Sequence, residues 1–342
     1  MQSIGYEFVL AAVAAVLVWS LTGLYCRAMT ASQRLVPPNE RSMHVVPVPA
    51  GAGLAIVAAV VVLWPAWHVG RMDRVQVVML LCLVALAALS FVDDRRGLPP
   101  LVRLSAQFVA VALCLGTLAP DLRVFQVLPL GVERFVLALA WLWFINLFNF
   151  MDGIDGLAGS EALAIALGAV LVLLAAGMDF SPYWRLALIV AAASVGYLVW
   201  NWHPAKVMMG DAGSIPLGFV LGWLLIQLAV NRQWAAAAIL PLYFVADATI
   251  TLLSRLSRGQ KPWQAHREHF YQRAVLGGTS PPGVVLRVTT GNVVLVMLAL
   301  FSVHQPVLAS LAAVVVVAAL LAHLQRLAGA PPPAAEPAAP PS

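Results

Sequence analysis

The residues of this 342-residue chain with the means to do chemistry fall in four short runs, each at the edge of an apolar stretch. In the first, the adjacent carboxylates Asp93 and Asp94 are followed by Arg95 and Arg96. Neighbours on a helix point about 100° apart, so the two acids do not serve as equal ligands of one ion. Either one faces a bundle interior while the other meets an arginine, or both are neutralised at a helix end. In the second run, Asn146, Asn149, Asp152 and Asp155 recur at spacing three, with Gly153, Gly156 and Gly159 nearby. Two amides and two carboxylates aimed into one cleft suit a hydrated hard cation, or the donor and acceptor edge of a base and sugar. The plainer alternative is a polar turn between helices.

The third run holds Asn201, His203, Lys206, Asp211, Ser214 and Pro216. Ser214 reads as a helix N-cap and Pro216 as a first-turn residue, which would turn free N–H groups and the helix dipole toward a phosphate. Asp211, just before them, suits Mg²⁺, which takes one or two carboxylates plus substrate phosphates and keeps several waters. The fourth run is His266, Arg267, Glu268, His269, Phe270, Tyr271, Gln272 and Arg273, preceded by Arg258, Lys261 and Trp263. Aromatics among bases grip an anionic headgroup or a sugar diphosphate, or else anchor a loop at the membrane interface. His266 and His269 lack a third zinc ligand nearby. Asp247 reads as the only acid well inside an apolar window, about 10 Å from its end at 1.5 Å per residue, and is either a structural acid or a site residue.

The elements that must position these runs are membrane spans. The chain is 62% hydrophobic and 10% charged with a mean hydropathy of +0.89, against about 25% charged in an ordinary soluble domain. A spanning helix needs roughly 20 apolar residues. Eleven windows qualify: 5–27, 51–69, 74–91, 102–118, 133–149, 157–177, 183–200, 213–229, 234–254, 285–303 and 306–326. The expected fold is all-α and polytopic, and the apolar runs are too long for the strands of a membrane barrel. The first window has no preceding Lys or Arg and reads as a retained helix. Cys26, Cys82 and Cys114 show no ligand or disulfide spacing. Residues 1–327 read as one membrane domain and 328–342 as a disordered Pro/Ala tail.

Fourteen of the twenty Lys and Arg residues lie in loops after odd-numbered windows and six in the others. This charge bias assigns the first set to the cytoplasm and the N-terminus to the outside. The formal charge of +5 is then a topology signal rather than a mark of nucleic-acid binding. All four polar runs fall on the same cytoplasmic side, where polar residues at membrane depth point to function.

Together these residues resemble the polyprenyl-phosphate N-acetylhexosamine-1-phosphate transferases, the family that includes initiators of O-antigen synthesis and the peptidoglycan translocase. The resemblance is carried by the run from Asn39 to Pro47 with Ser42 and His44, by Asp93-Asp94, by the Asn146 to Ala158 segment, by Met209 to Gly218, and by His266 to Arg273. It implies transfer of a sugar 1-phosphate from a UDP-N-acetylhexosamine to undecaprenyl phosphate in the bacterial inner membrane, with release of UMP and with Mg²⁺ or Mn²⁺ as cofactor. By the family pattern Asp211, with Asp152, looks like the metal ligand set. Asp93 and Asp94 look like the essential pair near the lipid phosphate, and Asn149, Asp152 and Asp155 like the nucleotide-side wall. Asn146, Ser42, His44, Asn201 and Lys206 are matched as substrate contacts, as are His266, Arg267, His269, Tyr271 and Arg273 of the last loop. That loop is similar to the branch using UDP-N-acetylfucosamine-like or UDP-N-acetylquinovosamine-like donors. Partners are then the lipid phosphate, the nucleotide sugar and membrane lipid, with a homodimer left open.

Two places depart from the family pattern: Ala50-Gly51-Ala52-Gly53 stands where the family usually has Arg-Gly-Gly-Gly, so that Ala50 replaces a cation, and Met208 stands where it commonly has an aromatic. The rival readings are an ion-coupled transporter, whose site would lie near the midplane, and a degenerate family member that binds lipid phosphate without turnover.

Overall fold

The computed structural model describes residues 2–35, 47–66, 72–178, 181–261, 264 and 266–329. Ser42, His44 and the neighbouring motif residues 39–46, like the tail from 330 onward, lie outside them. The described residues form thirteen helices and one isolated parallel β-bridge, which bears out the all-α polytopic expectation. Nine of these helices are long and apolar enough to cross a membrane: α1 (Gln2–Ala31), α3 (Arg74–Arg96), α4 (Pro100–Thr117), α5 (Leu130–Phe150), α6 (Leu157–Ala175), α7 (Pro182–Asn201), α8 (Asp211–Val230), α12 (Pro281–Phe301) and α13 (Pro306–Ala328). The apolar helix α2 (Leu54–Ala66) is shorter.

The window 234–254 is not one helix. It divides into α9 (Trp234–Ile239) and α10 (Leu242–Ser257) around Pro241, whose ring has no N–H to donate and clashes with the carbonyl four residues back. A further short helix, α11 (Phe270–Leu276), forms within the last polar run.

Helix α8 is the axis of the bundle. It packs against α2, α3, α5, α6 and α9, and every residue in it except Asp211 and Ala229 is buried. Between apolar helices in lipid, close packing of small residues replaces the hydrophobic drive. A Cβ on Gly222 would lie 2.2 Å from Trp141 Cδ1, so only hydrogen there lets α5 close on α8. Trp141 then stacks on Phe219 at 4.8 Å between ring centroids, and its Nε1 donates to the Phe219 carbonyl at 3.0 Å. This contact fixes the register in which the last turn of α5 meets the first turn of α8. On the other flank, Trp200 of α7 donates to the Trp19 carbonyl of α1 at 2.9 Å.

Asp247 resolves as a structural acid. It is fully buried in α10 and accepts the Phe270 N–H at 3.0 Å, contacts His269 Nδ1 at 3.2 Å, and accepts the Tyr243 hydroxyl at 3.1 Å. One carboxylate thus holds the start of α11 against α10. It is not the only deep acid. Glu161, the fifth residue of α6, is also fully buried and accepts the Asn292 amide of α12 at 2.6 Å. Glu268 clasps the loop from the other side, bonded to Arg255 and Arg258. Burial pushes its carboxyl up, but the hydrogen bond from Arg258 and the charges of Arg255 and Arg258 outweigh this and hold it below the ordinary glutamate value.

Gly222→Val is expected to lower stability by about 1–3 kcal/mol, the usual cost of overpacking; an unchanged thermal midpoint in detergent would contradict the α5–α8 register argument. For Glu268, a folded-state pKa below the ordinary one means the clasp is complete above about pH 4.3 and is lost as the pH falls through the folded value. Amide exchange in residues 266–276 should therefore be faster in Glu268→Gln than in wild type at neutral pH. The two should converge in acid, and equal rates at neutral pH would remove the clasp.

Candidate active site

The carboxylates Asp93, Asp94 and Asp211 meet where the ends of α3 and α8 come together. Asp93 lies in the last turn of α3 and is 7% exposed. Its Oδ1 accepts the Leu98 N–H at 2.6 Å and its Oδ2 accepts Arg103 Nη1 at 2.8 Å. Arg103 also stands 3.6 Å from Asp211 Oδ2. Arg95, by contrast, stacks on Phe91 at 3.4 Å, so the arginine that meets the acid pair comes from the next helix. Asp94 turns to α8: its Oδ2 accepts the Ala212 N–H at 3.1 Å, and it lies within electrostatic range of both Asp211 and Asp93. The positive end of the α8 dipole and Arg103 face these three acids.

The start of α8 differs from the sequence expectation. Gly210 is the N-cap, and Ser214 lies inside the first turn with its hydroxyl donating to the Gly210 carbonyl at 3.0 Å. Pro216 is an interior residue of the helix. Gly210 has φ +71, and a Cβ there would lie 2.6 Å from the Gly51 nitrogen, a left-handed close approach suited to glycine. The approach lets the 49–53 segment pair with 208–209. Met208 N–H donates to the Pro49 carbonyl at 2.8 Å, Ala52 N–H to Met208 at 3.1 Å and Gly53 N–H to Met209 at 3.2 Å. Tyr25 donates to the Ala50 carbonyl at 2.5 Å. Ala50 and Met208, the two departures from the family pattern, are partners in the one isolated β-bridge among the described residues.

The second run does not act as one row. Asn149 joins the cluster, its Nδ2 donating to Asp211 Oδ1 and to Ser214 Oγ, both at 2.8 Å. Asn146 turns to α4 and donates to Gln107 Oε1 at 2.7 Å. Asp152 is half-buried in the turn after α5. Asp155 accepts the Ala205 N–H at 3.1 Å and contacts His203 Nδ1 at 2.7 Å. Asn201 ties the same turn to the 201–208 loop, accepting the Gly156 N–H at 3.0 Å and donating to the Val207 carbonyl at 2.9 Å. Asp155 and Asn201 therefore brace the turn after α5, in which Asp152 is half-buried. Lys206 is exposed and lies 5.4 Å over the Trp200 ring.

In the last loop, His266, His269 and Tyr271 form a column of rings, with centroids 4.9 Å and 5.7 Å apart. His269 and Tyr271 are buried, and the Tyr271 hydroxyl reaches the Phe150 carbonyl at 3.4 Å, which seats α11 on the turn carrying Asp152. Arg267 is half-buried between His266 and Glu268. Arg273 lies 4.6 Å over Phe270 and lines a cleft with Thr251, Ser254, Arg258 and Glu268.

By sequence alone Arg103 adds only to the charge bias of the loops. The signal was present: the three residues 97–99 between α3 and α4 force a tight antiparallel hairpin, so a base in the first turn of α4 must face the end of α3. Gln107, which takes Asn146 away from the cluster, follows one turn later.

No group of three His, Cys, Asp or Glu side chains forms a ready metal cage among the described residues. Mg²⁺ does not need one, since it binds through one or two carboxylates, substrate phosphates and water. Asp211 has one oxygen held by Asn149 and a side chain 29% exposed. With Asp94 in electrostatic range, this donor set fits such an ion.

Residues 76–229, which include the three acids, Arg103 and Asn149, match the family model described as Glycosyl transferase family 4. A decaprenyl-phosphate N-acetylglucosaminephosphotransferase of Mycolicibacterium smegmatis is 30% identical, the match covering 73% of this chain and 70% of the relative. A probable undecaprenyl-phosphate N-acetylglucosaminyl 1-phosphate transferase of Bacillus subtilis is 28% identical, over 71% of this chain and 70% of the relative. An undecaprenyl-phosphate alpha-N-acetylglucosaminyl 1-phosphate transferase of Salmonella typhi is also 28% identical, over 73% and 71%. With its carboxylates gathered at the head of one buried helix and these relatives matched over most of their length, the chain belongs to the glycosyl transferase family 4 of polyprenyl-phosphate N-acetylhexosamine-1-phosphate transferases.

Proposed function

We propose that this protein transfers an N-acetylhexosamine 1-phosphate from a UDP-sugar to undecaprenyl phosphate at the cytoplasmic face of the bacterial inner membrane. The product is then the lipid-linked first sugar of a surface polysaccharide such as O-antigen. The observation that carries the reading is the set Asp93, Asp94 and Asp211 facing one guanidinium and one helix N-terminus. The names of the relatives support the polyprenyl phosphate acceptor and the amino-sugar donor. The form of the last loop supports a donor of the N-acetylfucosamine or N-acetylquinovosamine kind. The charge bias of the loops supports the cytoplasmic side and an outside N-terminus.

In the proposed reaction an oxygen of the lipid phosphate forms a bond to the sugar-bearing phosphorus. The bond from that phosphorus to the bridging oxygen breaks, and UMP leaves with the electron pair. The attacking oxygen is already anionic near neutral pH, so the work is positioning and charge neutralisation. Asp211, with Asp94 in electrostatic range and with Asp152 as the family pattern has it, would hold Mg²⁺ or Mn²⁺, which supplies Lewis-acid neutralisation of the diphosphate. Both Asp93 oxygens are already engaged, by Leu98 N–H and by Arg103. Asp93 therefore acts as the acid that aims Arg103, and Arg103 meets a phosphate. Asn149 orients Asp211, while Asp155 and Asn201 hold the wall of the nucleotide pocket.

Purified protein given undecaprenyl phosphate, Mg²⁺ and a panel of UDP-N-acetylhexosamines should release UMP with one preferred donor, and EDTA or Asp211→Ala should abolish release. Release that does not depend on the lipid, or no release with any donor from folded protein, would sink the reading. Arg103→Ala is expected to lower kcat by about 10²-fold, the scale of one lost charge-stabilising donor. If Asp93 works through Arg103, then Asp93→Asn adds little to Arg103→Ala in the double variant; fully multiplicative losses would make Asp93 an independent catalytic acid or base.

A further inference from the structure

At the end of the bundle opposite the carboxylates lies a cleft of about 580 Å³ lined by Asp121, Arg123, Gln126, Asn231, Arg232 and Trp234. Helices α5 and α8 both run from this end to the acids, and helices of their length span about 30 Å at 1.5 Å per residue. The cleft is therefore remote from the transfer site.

Two of its charges, Asp121 and Arg232, are exposed. Arg123 is spent internally, bonded to Glu133 and to the carbonyls of Phe125 and Leu128. Asp121 and Arg232 make no ion pair or side-chain hydrogen bond among the described residues, although they line the same cleft. Arg232 stands at φ +66 as the residue after the α8 C-cap, where the Gln233 N–H closes on the Leu228 carbonyl at 2.8 Å, so the helix end itself sets its backbone. Trp234, which lines the cleft, is 46% exposed, and Phe125 and Val127, the chain neighbours of the lining residue Gln126, are 42% and 93% exposed. Solvent would leave these side chains unfavourably wet, whereas the boundary between headgroups and hydrocarbon suits a Trp and an Arg side by side.

We propose that this cleft binds the headgroup of an ethanolamine phospholipid from the adjacent leaflet, with the phosphate on Arg232 and the ammonium on Asp121. One unpaired cation and one unpaired anion in a single cleft complement a zwitterion. A purely anionic headgroup would leave Asp121 facing negative charge. A choline headgroup has no N–H to donate to the Asp121 carboxylate. The acyl chains lie in the bilayer against Phe125, Val127 and Trp234. The proposal is independent of the transfer reaction and is tested by binding alone.

The test is native mass spectrometry of the full chain released from detergent with palmitoyl-oleoyl phosphatidylethanolamine, phosphatidylglycerol or phosphatidylcholine. The variants are Arg232→Gly and Asp121→Asn. Glycine suits the left-handed conformation at 232, so the first variant removes the guanidinium without adding backbone strain. The expected result is selective retention of the ethanolamine lipid, weakened roughly tenfold in Arg232→Gly, the scale of one charge-assisted contact. Asp121→Asn should remove the preference for ethanolamine over glycerol headgroups. Equal retention of all three lipids by wild type, or unchanged ethanolamine-lipid binding in both variants, overturns the proposal.

Discussion

Three carboxylates brought together at the end of a membrane bundle repel one another, and the architecture around them answers that repulsion. Like charges a few ångströms apart in a partly dry site cost several kcal/mol unless opposite charge or donors face them. Here the answer is distributed: Arg103 from α4 on Asp93 and Asp211, the first N–H groups of α8 on Asp94, and the Asn149 amide on Asp211. What the protein leaves uncompensated is what a divalent ion and a diphosphate would complete. On the proposed function the site is preorganised for charge that arrives with the substrates, which is the economical arrangement for phosphoryl transfer.

Such a cluster tolerates little drift, and the packing accounts for its stability of position. Helix α8 carries Asp211 on one of only two residues that escape burial. Trp141 seated over Gly222 sets the register of α5, which places Asn149. Asp247 and Glu268 hold α11 from two sides, and Tyr271 carries that constraint to the turn bearing Asp152. Positioning therefore runs outward from the acids through amides and rings to Asp247, fully buried, and Glu268, half-buried.

Most of the spans, and the polar runs that bring Asp93, Asp94 and Asp211 to one end of the bundle, were legible because membrane helices announce themselves by composition and polar residues stand out against hydrocarbon. Three-dimensional partners were not. The spacing of Asn146, Asn149, Asp152 and Asp155 reads as one row, but the chain leaves the helix at Met151. The row splits between α4, α8 and the 201–208 loop. Ser214 has the chemistry of an N-cap, yet Gly210 takes that place because segment 49–53 needs to pass against it. Arg103 was hidden among topology charges because its role depends on a hairpin rather than on its neighbours. Ala50 and Met208 stand 158 positions apart in sequence yet pair directly in space, a partnership that only the fold reveals.

The central claim is that Asp211, supported by Asp94, is the seat of a divalent ion completed by substrate phosphate. Titration with Mn²⁺, followed by loss of the free-ion electron paramagnetic resonance signal with and without UDP, tests it without requiring turnover. The account predicts weak uptake by the protein alone, markedly tighter uptake with UDP present, and loss of that enhancement in Asp211→Ala but not in Asp247→Asn. Equal uptake by wild type and Asp211→Ala in the presence of UDP would contradict it.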